Sequence, residues 1–383
     1  MGTIMDLRYG MNPHQRARVV GGSAEHIRVL HGSASLINYL DLLNAWQLVA
    51  EAQTATGRVA ATSFKHVSPA GAAVDGELDE TLRESWGLGD AGLGPGAAAY
   101  IRARDADPRS SYGDMIAVSA PVDDELADLL GGVVSDGIIA PGYAPGTVEK
   151  LARKKGGRFL VVEVDPAYRP PETESRTVFG VTLEQDHDRQ PNTAELIRVA
   201  DGPALSEAAV SDALLGMITA RYTQSNTVVL VRDGMTVGVG AGQQSRVDCT
   251  LLAGAKARTW WNRRHPAIRA LPLPASLPRQ ERLNWRIALA AGTLTATQHS
   301  ELSDLLAEST SDPDLSTWTR QFSGLTLVSD GYLPFRDNVD VAAAHGVTAI
   351  IEPAGALRAD AILDACREHR ITLARTDLRM FHH

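Results

Sequence analysis

The stretch Val59-Ala60-Ala61-Thr62-Ser63-Phe64-Lys65-His66-Val67-Ser68-Pro69-Ala70-Gly71 decides how this chain reads. Val59 to Phe64 is a short, largely apolar run of strand length, and Ser68 followed by Pro69 predicts a helix N-cap with proline in the first turn. Lys65 and His66 then fall at the carboxyl end of a strand. In open α/β sheets ligands bind there, because loops converge above the sheet and helix N-termini point at them. Upstream, Leu42, Ala45, Trp46, Val49 and Ala52 recur at helical spacing and Gly57 follows as a stop signal, which predicts an amphipathic helix from Asp41 to about Thr54.

The same alternation continues downstream. Gly132 to Ala140 reads as a strand, Pro141-Gly142 as a turn, Thr147 to Lys155 as a helix and Phe159 to Val164 as a strand, a βαβ rhythm. A second region begins after the polar stretch Asp186 to Asn192. There Thr227 to Arg232 and Met235 to Val239 flank Asp233-Gly234, the composition of a β-hairpin. Ser245 opens a predicted helix running to Trp261. Strand signals vanish between about Leu271 and Phe322, where helical patterns suggest a small insert. The tail then predicts a strand (Val347 to Ile351), a helix (Asp360 to His369) and a strand (Ile371 to Ala374). The fold class is α/β, and 383 residues with 44% hydrophobic content favour two compact units, divided at about 190/191.

A formal charge of -9 with a pI near 5.7 argues against a general nucleic-acid or acidic-membrane binder, so any anion site has to be built locally. Cys249 and Cys366 are too few for a disulfide framework and read as reduced cytosolic thiols. The N-terminus lacks a signal-peptide pattern and no apolar run is long enough to span a bilayer, so a soluble cytoplasmic protein is expected. Gly238-Val239-Gly240-Ala241-Gly242 is not spaced as a dinucleotide fingerprint. It reads as a tight glycine turn feeding the helix near Ser245, where free N–H groups and Arg246 would suit an anion. Lys256 to His265 interleaves basic residues with Trp260 and Trp261; on a helix this reads as a packed aromatic face with solvated charges.

Lys65-His66 is followed by small residues that let a substrate approach the backbone. A histidine can remove a proton from an attacking amine while a neighbouring ammonium stabilises an oxyanion, which is acyl-transfer chemistry without a covalent nucleophile.

Several long segments then coincide with one family: Arg8-Tyr9-Gly10-Met11-Asn12-Pro13-His14-Gln15, Ser63 to Gly71, Ser135-Asp136-Gly137-Ile138-Ile139-Ala140-Pro141-Gly142-Tyr143, Tyr222-Thr223-Gln224-Ser225-Asn226, Gly240 to Arg246, Pro334-Phe335-Arg336-Asp337-Asn338-Val339-Asp340 and Leu378 to His383. In order, from about residue 7 to the end, the chain resembles the AICAR transformylase portion of the bifunctional purine biosynthesis enzyme PurH.

The resemblance implies formyl transfer from 10-formyltetrahydrofolate to the 5-amino group of AICAR, with His66 as general base and Lys65 as transition-state stabiliser. Carried over residue by residue, it implies nucleotide contacts at Arg8, Tyr9, His66, Gly113, Asp136, Asn226, Arg246, Tyr332 and Arg379. It implies folate contacts at Val247, Asp337, Ala356 and Leu357, and a monovalent cation, potassium in type, near Thr223, Ser225, Thr227, Asp330 and His382. It further implies two cytidine-deaminase-like α/β/α units, 1–190 and 191–383, with the helical insert at about 271–322 and a C-terminal segment packing with the first unit. An intertwined homodimer with shared active sites goes with that fold. The zinc deaminase signature is absent, so neither deamination nor a catalytic transition metal is expected. The family's cyclohydrolase domain has no counterpart in this sequence, which suggests a stand-alone transformylase served by a separate IMP cyclohydrolase. Tyr112, Tyr332 and Met380 are conservative departures. Two other readings stay open: a paralogue formylating another aminoimidazole or amine, and a non-catalytic nucleotide-binding regulator.

Overall fold

A computed structural model describes residues 5–21, 26–89, 92–306 and 313–383. A small hairpin of β1 (Met5–Leu7) and β2 (Ala17–Val19) precedes strand β3 (Ile27–His31) and helix α1 (Leu36–Thr56). There follow β4 (Ala60–Lys65), β5 (Ser68–Val74), α2 (Glu80–Trp86), α3 (Pro95–Asp105), β6 (Asp114–Val118), α4 (Asp124–Gly131), β7 (Ser135–Ala140), α5 (Thr147–Ala152) and β8 (Leu160–Val164). A separate hairpin, β9 (Thr173–Val178) and β10 (Val181–Asp186), projects between the halves, with every residue of both strands exposed. The second half runs β11 (Arg198–Asp201), α6 (Glu207–Arg221), β12 (Thr227–Arg232), β13 (Met235–Ala241) and α7 (Arg246–Asn262). After α8 (Pro266–Arg269), α9 (Arg279–Ala291), α10 (Ala296–Leu306) and α11 (Ser316–Arg320) come β14 (Leu325–Ser329), α12 (Asp337–Ala344), β15 (Val347–Pro353), α13 (Ala359–His369) and β16 (Thr372–Thr376).

The α/β expectation holds, and the two halves join in one 12-stranded mixed sheet, ordered β11-β16-β15-β14-β12-β13-β5-β4-β6-β7-β8-β3. Each half contributes an edge strand, a helix, a hairpin, a helix and then parallel strands alternating with helices. The halves meet where β13 lies antiparallel to β5, Met235 opposite Ala73, with Ala72 N–H donating to Thr236 Oγ1 and Val74 N–H to the Gly234 carbonyl. One core layer sits under α3, α4, α7, α12 and α13; the other lies against α1 and α6, making three layers with the sheet in the middle.

Helix α1 starts earlier than its apolar spacing indicates. Ser35 accepts from the Asn38 N–H and the Asn38 side chain returns the bond, a capping box; Gly57, in the left-handed region, closes the other end. The hairpin at Asp233-Gly234, the βαβ unit through β7 and β8, and the helices of the predicted insert all form. Residues 307–312 of that insert lie outside the described residues.

Three sequence expectations are corrected. Ser68-Pro69 does not cap a helix, because Ser68 begins β5. Pro69 lies opposite Phe64 at a register shift, where an irregular ladder tolerates a residue with no N–H to give. Of the small residues that follow, Gly71 serves packing, since a Cβ there would sit 2.2 Å from the Ala103 carbonyl oxygen of α3, while Ala70 faces the cleft beside Lys65 and His66. Gly238 and Gly240 belong to β13, not to a turn. A Cβ there would lie 2.1 Å from the Ala253 oxygen and 2.0 Å from the Cys249 oxygen, so these glycines let α7 rest directly on the strand. Only Gly242, at φ 68°, makes the turn. The Trp260–Trp261 face does pack, with Trp261 stacked on Trp318 and Phe322. Its charges, however, are not all solvated: Arg263 and Arg264 are buried and share Asp105.

Candidate functional site

Lys65 ends β4 and Ser68 pairs with it, so His66 and Val67 form a two-residue hairpin turn with both residues in the left-handed region (φ 54° and 57°). The turn exposes the His66 side chain, while Lys65 is half-buried. Lys65 Nζ donates to the Tyr112 carbonyl at 2.6 Å, leaving two of its protons for other acceptors. The turn flanks a cleft of about 370 Å³ lined in part by Lys65, His66, Ser68, Ala241 and Lys256.

Gly113 and Asp136 stand at the amino ends of β6 and β7, beside Lys65 because β4 and β6 are antiparallel. A Cβ on Gly113 would lie 3.8 Å from Asp136 Oδ1 and 4.0 Å from Lys65 Nζ, so the three close on one point. Gly113 is at φ 77°, a conformation L side chains rarely adopt. Beneath it, Asp114 is buried and accepts from Arg104 Nη1 at 2.8 Å and from the Tyr100 hydroxyl at 3.2 Å. Desolvation raises the Asp114 pKa, opposed first by Arg104. Asp136 is held by Lys155 Nζ, and Lys155 itself has a positive φ.

Arg8 and Tyr9 lie at the start of α1, where Leu36 N–H donates to the Tyr9 carbonyl and the Arg8 guanidinium stacks 4.9 Å from the Tyr9 ring centre. Asp41, five residues further along α1, accepts from the Val67 N–H at 2.7 Å, which ties α1 to the turn.

A second cluster lies across the β5–β13 seam, linked by Gln224 N–H donating to Ser68 Oγ at 3.4 Å. Asn226 donates to the carbonyls of Gln243 and Gln244 at 3.1 and 3.0 Å, and its Oδ1 accepts from Arg246 Nη2 at 2.8 Å. Arg246 is buried and directed inward: Nη1 donates to Ser329 Oγ at 2.9 Å and pairs with Asp330, which is fully buried. Ser225 Oγ donates to the other oxygen of Asp330 at 2.5 Å and accepts from His382 N–H at 3.2 Å. The hydroxyls of Thr223 and Thr227 donate to the carbonyls of Thr219 and Gln224, each at 2.6 Å. The C-terminal segment crosses these strand ends through Met380 N–H donating to the Asp330 carbonyl at 2.9 Å. Burial lowers the His382 pKa.

Tyr332 and Arg379 are exposed on the same edge, Arg379 lying 4.5 Å from the Phe381 ring centre. Val247 in the first turn of α7, Asp337 opening α12, and Ala356 and Leu357 after β15 follow the carboxyl ends of β13, β14 and β15. The expected nucleotide, cation and folate residues therefore occupy one edge of the sheet. Among the described residues no group of three or more His, Cys, Asp or Glu could hold a metal ion, and no helix is long and apolar enough to cross a membrane.

Residues 1–256 match the family described as AICARFT/IMPCHase bienzyme. The chain belongs to that family. It is 30% identical over 391 residues to the bifunctional purine biosynthesis protein PurH of Roseobacter denitrificans, covering 100% of this chain and 60% of that protein. The PurH proteins of Ruegeria sp. and Aquifex aeolicus are each 29% identical, over 98% and 99% of this chain and 59% and 60% of their own length. The chain thus spans about 60% of the curated relatives it matches. The family motifs mark most of the site, but local pattern does not point to Asp41 as the acid on the turn, to Lys155 as the partner of Asp136 or to Lys256 as a wall of the cleft. Asp41 left a faint trace, an acid between Leu40 and Leu42 in an otherwise apolar stretch.

Proposed function

We propose that this chain transfers the formyl group of 10-formyltetrahydrofolate to the 5-amino group of AICAR. The observation that carries the reading is the Lys65-His66 turn, which brings both side chains to one cleft, with Gly113 and Asp136 closing on the Lys65 ammonium. The AICAR amine is a poor nucleophile because its lone pair is delocalised into the ring. His66 accepts its proton as nitrogen attacks the formyl carbon, and the Lys65 ammonium stabilises the tetrahedral oxyanion that forms. Collapse of that intermediate breaks the bond from the formyl carbon to folate N10, which leaves as tetrahydrofolate with the proton returned from His66. Arg8, Tyr9, His66, Gly113, Asp136, Asn226, Arg246, Tyr332 and Arg379 then hold the nucleotide. The exposed Arg8 and Arg379 suit its phosphate, whereas Arg246, turned inward to Asp330, steadies Asn226 and is not the free anion site its sequence position suggests. Val247, Asp337, Ala356 and Leu357 contact the folate.

The same proposal includes a monovalent cation near Thr223, Ser225, Thr227, Asp330 and His382. The hard oxygen donors there suit potassium, and Asp330 is already neutralised by Arg246, which disfavours a divalent ion. It includes a cytoplasmic homodimer, supported by the β9–β10 hairpin, whose apolar Val178, Phe179, Val181 and Leu183 are all exposed. It also retains two cytidine-deaminase-like units, supported by the repeated element order. Ring closure to IMP is a second reaction, assigned to none of these residues.

Purified protein given AICAR and 10-formyltetrahydrofolate should release tetrahydrofolate, and His66→Ala should abolish turnover while AICAR binding by calorimetry survives. No turnover by the unaltered protein would sink the proposal; normal turnover by His66→Ala would remove the histidine from its role.

A further inference from the structure

The His66-Val67 turn is built from residues its geometry disfavours. Two-residue hairpin turns with both positions left-handed select Asn-Gly or Asp-Gly, and a β-branched residue at φ 57° is an outlier. Something outside the turn must hold it.

The second half of the chain displays the same device in relaxed form. There the turn is Asp233-Gly234, at φ 53° and 74°. Its N–H groups both donate to Asp212, the sixth residue of α6, at 3.0 and 2.6 Å. In the first half the sixth residue of α1 is Asp41, and its Oδ1 accepts from the Val67 N–H at 2.7 Å. Asp41 is 4% exposed. Both helices thus carry a buried carboxylate that grips the following hairpin turn. The two turns differ in sequence: Asp-Gly, which adopts this turn readily, stands in one half, and His-Val in the half that carries the reactive side chains.

We propose that Asp41 is a positioning residue for His66, its carboxylate holding the strained His66-Val67 turn in the left-handed conformation that presents the imidazole to the cleft. Asp41 does not line the cleft; it meets the turn at the Val67 amide, and the His66 backbone N–H and the charges of His66 and Lys65 also act on its carboxylate. The proposal rests on the formyl-transfer reading for its activity readout, but the turn's conformation can be measured without it.

The test is a cycle of Asp41→Ala, Asp41→Asn, Val67→Gly and the double variant Asp41→Ala with Val67→Gly, with Asp212→Ala as control. Asp41→Ala should lower kcat about tenfold or more with KM for AICAR within about twofold, because the reacting group is displaced while the binding residues stay. Asp41→Asn, whose amide oxygen still accepts the Val67 N–H, should recover most of the rate. Glycine removes the strain, so Val67→Gly should restore the rate in the Asp41→Ala background. Asp212→Ala should lower the melting temperature as Asp41→Ala does yet leave kcat within about twofold.

The His66 ring signals in a ¹H–¹⁵N spectrum should move in Asp41→Ala and return in the double variant. This readout stands even if AICAR proves not to be the substrate, whereas loss of turnover in the unaltered protein indicts the functional reading alone. Unchanged ring signals in Asp41→Ala, or a double variant as displaced as Asp41→Ala, would overturn the proposal. Should Asp41→Ala fail to fold, Asp41→Asn and the double variant carry the same comparison.

Discussion

Replacing Gly240 by alanine would place a methyl group 2.0 Å from the Cys249 carbonyl oxygen and 2.8 Å from its carbon. Ordinary contact needs roughly 3.5 Å, so α7 must retreat from β13 by more than about 1 Å. No rotamer change relieves this, because the obstacle is helix backbone. Overpacking that side chains can absorb costs about 1–3 kcal/mol. A collision with the backbone of a helix whose Cys249, Ala253 and Ala257 are fully buried should cost about 3 kcal/mol or more. Gly242→Ala is the control. Nothing lies within 4 Å of its would-be Cβ, and only its φ of 68° opposes the substitution, which predicts about 1–2 kcal/mol. Urea unfolding of both variants, followed by the fluorescence of Trp260 and Trp261 on α7, reads the difference directly. A glycine loop serving a ligand predicts the reverse order, with the turn glycine the more sensitive. Gly240→Ala within about 1 kcal/mol of the unaltered protein, or less destabilised than Gly242→Ala, would refute the packing argument.

Two further outcomes follow from buried titratable groups. Burial raises Asp212 to about 6, so between its ordinary value and 6 the folded protein holds a proton that the unfolded chain has released. This group's contribution to stability is therefore greatest at low pH and is lost as pH rises to about 6. Relative to Asp212→Asn, the unaltered protein should lose about 2 kcal/mol between pH 4.5 and 7.5; a difference that is flat or grows with pH contradicts the assignment. Burial also pushes the Cys249 thiol up to about 11 and the Cys366 thiol up to about 12. At pH 8 only about one Cys249 in a thousand is thiolate, and fewer at Cys366. Iodoacetamide should modify neither in the native protein and both in urea; rapid native labelling would show that one is accessible.

Much of this molecule is legible one segment at a time. The helical spacing of Leu42, Ala45, Trp46, Val49 and Ala52, the Asp233-Gly234 hairpin, the βαβ unit around Pro141-Gly142 and the final strand–helix–strand all follow from local periodicity and turn chemistry, which depend on neighbours within a few residues. Ser68-Pro69 is ambiguous in sequence, because the same dipeptide suits a helix start or an irregular strand. What decides between them is β4 alongside and Ala103 overhead, contacts that local pattern does not carry. Gly238 and Gly240 similarly gain their meaning only from α7.

Periodicity, turn chemistry and motif are enough to give the α/β class, most elements and the Lys65-His66 pair. Tertiary structure alone decided that one sheet runs through both halves and that Arg246 turns inward to Asp330. It also decided that a buried Asp41, distant in sequence, grips the turn bearing His66. Periodicity and turn preference are properties of a segment, whereas strain, close approach and charge pairing belong to pairs of segments and exist only once the chain has folded.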